Sequence, residues 1–113
     1  MAAKTKSKTN PKPAPAPATP PAFVIVRTYS AGAHAGTIES RNGKEVVLRD
    51  ARRLWYWDGA ASLSGLAVTG TSKPGTCKFP APVPRITLTE AIEVIDCTEA
   101  GRKSIEAVPT WQG

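Results

Sequence analysis

The sequence has one histidine, two cysteines and no apolar run near the roughly 20 residues needed to cross a bilayer. Each scarcity removes a class of function. With no second histidine anywhere, His34 lacks a partner for a metal site or a catalytic pair and reads as a loop or edge residue. Cys77 and Cys97 form neither a Cys-x-x-Cys motif nor a metal-ligand spacing. The basic N-terminus carries no apolar h-region, so the expectation is a cytosolic chain with two reduced thiols. No glycine-rich phosphate loop occurs, and Ser62 and Ser64 fail the nucleophile elbow because Ala60 stands where its first glycine belongs. Asp50 and Asp58 could be drawn together as catalytic carboxylates, but both lie among arginines and read as partners of Arg49, Arg52 and Arg53. This inventory predicts no enzyme, no catalytic residue, no metal, no cofactor and no membrane span.

What is present divides in two. Residues 1–22 hold six of the eleven prolines, with Lys4, Lys6, Lys8 and Lys12 and no acid, so they predict a disordered, semi-rigid arm of extended polyproline character. Those four lysines carry most of the net charge of +6. The rest of the chain is only mildly basic, and the arm allows at most a weak contact with nucleic acid. Residues 23–113 are then one small domain, whose size leaves room for stabilisation by another subunit.

The domain reads as α+β, mainly β: a small antiparallel sheet or partly open barrel with one or two short helices. Phe23 to Tyr29 is β-branched and aromatic, a first strand; Gly36 to Arg41 predicts a short second one. Asn42-Gly43 predicts a type I′ turn with both residues at positive φ, leading into a third strand over Lys44 to Arg49. Asp58 is positioned to cap a helix starting near Gly59 or Ala60, with Gly70 ending it. Thr69 to Pro84, with Pro74, Pro80, Pro82 and Pro84, reads as a long, mildly basic loop. Strands near Arg85–Thr89 and Ala91–Asp96 follow, then a helix over Glu99–Glu106 with Thr98 as N-cap. Trp111 must dock on the body of the domain or on a neighbour.

The densest stretch is Arg52-Arg53-Leu54-Trp55-Tyr56-Trp57-Asp58, with two of the three tryptophans. Read as a strand, it sends Arg53, Trp55 and Trp57 to one face and Arg52, Leu54 and Tyr56 to the other. Both faces then carry large apolar groups, which fits a central strand covered on both sides or a strand with one face in the core and the other in a subunit interface or ligand pocket. Arg49, Arg52, Arg53, Trp55, Tyr56 and Trp57 combine guanidinium forks for phosphate with flat rings for a base, and are the candidate binding residues. The alternative keeps Trp55 and Trp57 in the core and the arginines on a solvated edge.

These residues, with Val24–Gly32, Ser40–Leu48, the run from Ala51 to Ser64, and Lys103–Trp111, resemble a family of short, uncharacterised tailed-phage and prophage proteins. The resemblance covers nearly all of the domain but not the arm. It implies a phage origin and the cytoplasm of an infected bacterial host, and carries no activity or site residue with it. The expectation is a non-enzymatic binding protein, a homo-oligomer that captures a small anionic, nucleotide-like ligand or a host protein. A virion accessory such as a head decoration protein, or a nucleic-acid-binding regulator, are the alternatives.

Overall fold

The computed structural model describes residues 22–112. The predicted arm lies outside them except for Ala22, whose carbonyl accepts from Ile38 N at 2.9 Å. The elements are β1 (Phe23–Thr28), β2 (Ala33–Asn42), β3 (Glu45–Arg53), α1 (Leu63–Val68), β4 (Val83–Leu88), β5 (Ala91–Asp96) and α2 (Glu99–Ala107). The strands form one antiparallel sheet in the order β4-β3-β2-β1-β5. The class is α+β, mainly β, as the sequence predicts.

The sheet cannot be flat. β4 and β5 are its opposite edges, yet only Thr89 and Glu90 separate them along the chain. Across a flat sheet those edges would stand about 19 Å apart. The link from Leu88 to Ala91 reaches at most about 11 Å. The sheet therefore rolls, bringing its edges together at that end, although β4 and β5 do not pair. Inside the roll Val24, Val26, Val46, Leu48, Ala51 and Leu88 are buried with no helix over them. The outer face packs Ile25, Ala33, Ala35 and Leu54 against Leu66 and Ala67 of α1, Ile105 of α2, and Phe79.

Several boundaries differ from the sequence reading, each for a local reason. β2 starts at Ala33 because Ala33 to Gly36 continue the ladder opposite Val24–Arg27, so His34 is a central strand residue and not a loop or edge one. β3 runs four residues further than predicted, through a bulge at Asp50, whose φ is 50°. Asn42 pairs with Glu45, which leaves Gly43 and Lys44 at the hairpin tip, and Gly43 (φ 62°) supplies the left-handed residue. Ser62, not Asp58, caps α1, its hydroxyl accepting from Gly65 N at 3.1 Å. The Asp58 carboxylate instead accepts from Gly59 N and the Thr76 hydroxyl, at 2.9 and 3.2 Å, and fastens the following loop. Thr98 caps α2 as predicted, accepting from Gly101 N at 3.0 Å. There the two helices touch: a Cβ on Gly101 would stand 1.9 Å from the Ala67 carbonyl oxygen, so only glycine fits.

Candidate functional site

The six candidate residues do not form one cluster. Arg52 lies opposite Ala35, on the helix-covered face, and is 6% exposed. Its Nε donates to the Pro80 carbonyl at 3.1 Å and its two terminal nitrogens to those of Ile105 and Phe79, at 2.9 and 3.1 Å. The guanidinium also lies 5.5 Å from the Phe79 ring centre. Ile105 is in the last turn of α2, where its carbonyl also accepts from Val108 N at 3.3 Å and the helix dipole favours a cation. Burial lowers the Arg52 pKa from its ordinary value. Arg52 is thus a clamp between sheet, loop and helix.

Arg49 sits outside, 3.6 Å from the Glu39 carboxylate, which Arg85 grips with two bonds of 3.0 and 2.8 Å. That grip holds the Glu39 carboxyl below its usual range. Arg53 is exposed and donates to the Ala31 carbonyl at 2.8 Å. None of these arginines pairs with Asp50 or Asp58, so the expected aspartate partnerships are replaced by Glu39 and backbone carbonyls.

Beyond Arg53 the chain leaves the ladder, and the strand alternation expected for Trp55 and Trp57 ends with it. Leu54 turns into the core, its N bonded to the Ala33 carbonyl at 2.9 Å. Tyr56 forms an isolated antiparallel bridge with Lys78. Trp57 folds back and packs, partly buried, on the Leu54–Phe79 cluster. Trp55 is left 58% exposed and Tyr56 47% exposed. Trp55 and Trp57 therefore do not share a face.

Trp111 comes to Trp55. The two indoles stack with centroids 4.8 Å apart and planes inclined by 8°. Lys78 places its ammonium 5.4 Å from the Trp55 ring centre and 5.6 Å from those of Trp111 and Tyr56. Near-equal distances to two rings only 4.8 Å apart put the ammonium beside the stack. On the outer face of Trp55 it would be much further from Trp111, so Lys78 leaves that face uncovered, and Trp55 is 58% exposed. Trp55, Tyr56, Lys78 and Trp111 form an aromatic platform with a cation at its edge. Lys78 and Trp111 were not among the candidates; the signals for them were a tryptophan near the terminus with no other reason to be ordered, and a basic residue in a proline-rich loop.

His34, opposite Val26 inside the roll, is 1% exposed, and neither ring nitrogen has a hydrogen-bond partner. Burial and the neighbouring Arg53 charge hold its pKa down at about 4, so it is neutral near pH 7. Cys77 and Cys97 are free thiols, and burial with the Asp96 charge pushes the Cys97 thiol up to about 11. A cleft of about 210 Å³ beside Arg52 is lined by Phe23, Thr37, Asp50, Arg102 and Glu106 among others. Its two arginines face two carboxylates and favour neither sign of ligand. Among the described residues no group of His, Cys, Asp and Glu could hold a metal ion, and no helix is long and apolar enough to cross a membrane.

Fold and site together define a small rolled-sheet protein bearing a surface platform of stacked rings. Residues 22–105 match the family described as a domain of unknown function, DUF6948, and the chain belongs to that family. No curated protein and no solved structure matches it.

Proposed function

We propose that this is a phage-encoded, non-enzymatic binding protein that acts in the infected cell and holds a small, flat, anionic ligand of the nucleotide class. The observation that carries this reading is the open outer face of Trp55 with the Lys78 ammonium beside the stack. A base needs a π surface to lie on, and indole is the largest one a side chain offers. A phosphate attached to that base needs a cation at the edge of the surface, where Lys78 stands. The phage setting rests on the resemblance of the residues around Trp55.

Titration with AMP, GMP, CMP, UMP and their triphosphates, followed by tryptophan fluorescence and calorimetry, tests the reading. Binding is expected in the micromolar range, competed by salt and lost in Trp55→Ala. No binding of any of them at about 1 mM would overturn it. Native mass spectrometry of the protein purified from infected cells would give the subunit number and show any ligand that stays bound.

A further inference from the structure

We infer that Trp111 is a positioning residue of this ligand site: it backs Trp55 and, with it, fixes Lys78, so that a base laid on the open indole face completes a three-layer stack with the ammonium at its rim. The inference rests on the nucleotide reading above. It also makes the C-terminal segment, which lies beyond the residues matched to the family, a working part of the site.

Trp55 cannot hold its own orientation. It follows the end of β3, and the bridge beside it fixes the backbone of Tyr56, not the Trp55 ring. A ring so exposed would sample several rotamers, and a ligand would have to order it on binding. The parallel Trp111 ring removes that freedom beforehand on one side and leaves the other open.

Trp111 can do this because its own backbone is anchored to the core. Its N donates to the Phe79 carbonyl at 3.0 Å, and Thr110 forms a parallel bridge with Phe79. Phe79 is fully buried, and the same carbonyl accepts from Arg52 at 3.1 Å. The oxygen that receives the deepest cation of the fold therefore also receives the C-terminal segment. Lys78 immediately precedes Phe79, so one short stretch presents the ammonium and seats the backing ring. The ammonium's near-equal distances to both indoles follow from that arrangement.

A Trp111 that instead covered the binding face would compete with ligand, and removing it would tighten binding. The two roles predict opposite signs. The test compares full-length protein with Trp111→Ala, Trp111→Phe and Trp55→Ala, using the tightest nucleotide of the panel as probe and far-ultraviolet circular dichroism to follow the exciton signal of two stacked indoles. Expected results are an exciton signal in the native protein that either alanine variant removes, a Kd weakened about tenfold in Trp111→Ala, substantial recovery in Trp111→Phe, and an unchanged melting temperature. Should Trp111→Ala melt early, Trp111→Leu keeps the apolar contact without the ring and must weaken binding likewise. If the exciton signal disappears while Kd is unchanged or tighter, the positioning role is overturned and the nucleotide reading stands. If the native protein binds none of the nucleotides, the reading falls and this role falls with it.

Discussion

Arg52 and His34 lie on neighbouring strands, on opposite faces of one sheet, both almost wholly enclosed, and their polar atoms fare in opposite ways. Arg52 finds three carbonyl acceptors; His34 finds no partner for either nitrogen. The difference lies in what covers each face. Over Arg52 stand the end of a helix and an irregular loop, whose carbonyls are not used up in regular structure. Inside the roll the surrounding backbone is committed to the strand ladders and the buried side chains are apolar, while the cross-strand Arg53 offers only a cation and donates to Ala31 instead, so the imidazole finds no partner. A rolled sheet buries apolar groups well without helices, and polar ones poorly.

Removing the satisfied cation should have the largest effect. Arg52→Met keeps most of the apolar stem but removes the guanidinium donor from all three carbonyls, leaving that of Pro80 unpaired and those of Phe79 and Ile105 with only the Trp111 and Val108 N–H groups. Urea denaturation should show a loss of about 3–5 kcal/mol. A loss below 1 kcal/mol would mean that these carbonyls are hydrated and that the clamp is not structural. The helix layer itself is probed by Gly101→Ala, whose methyl would collide with the Ala67 carbonyl and push α1 from α2. About 2–3 kcal/mol should be lost, with the ladders inside the roll still protected from hydrogen exchange.

The unsatisfied face should respond to pH. With a folded pKa of about 4 against an ordinary 6.5, His34 takes a proton in the unfolded chain first. Stability is then complete above pH 6.5 and falls as pH drops from there towards 4, by about 2 kcal/mol after allowing for solvent screening. His34→Leu should flatten that slope in denaturation curves taken at several pH values. It should also match or exceed native stability at pH 7, because it deletes two unpaired polar atoms. A His34→Leu protein that melts well below the native one would show that the imidazole does have a partner.

How far these features could be read in advance follows from the range of the interactions. Strand content, the hairpin near Gly43 and the Thr98 cap depend on residues within a few positions of one another, and all were legible. Where β2 starts was not, because Ala33 to Gly36 are small residues whose place in the ladder is decided by β1. The roll is implied by a two-residue link, but only once β4 and β5 are known to be opposite edges. The platform was half legible: Trp55 and Tyr56 announce themselves, whereas Lys78 and Trp111 are brought to them by Phe79, a residue with no visible connection to either in the sequence. Arg52 misled for a related reason, since an arginine beside exposed aromatics looks like a ligand group until the strand's alternation turns it inward.

The smallest effect is the most informative about function. Trp55 and Trp57 are two positions apart, one on the platform and one on the core. Trp57→Ala empties a partly filled place against Leu54 and Phe79 and should cost about 2 kcal/mol. Trp55→Ala removes a ring that mostly faces water and should cost under about 1 kcal/mol. If thermal melts give that order, the Trp55 ring contributes little to stability, and its exposure needs another cause. The reversed order would make the Trp55–Trp111 pair a stabilising clasp for the C-terminal segment, and the case for a ligand platform would lose its support. An exposed indole is an aggregation hazard as well as a binding surface, so the same pair of variants should be compared for solubility. Improved solubility in Trp55→Ala, with the fold intact and nucleotide binding gone, would be the mark of a residue kept for recognition.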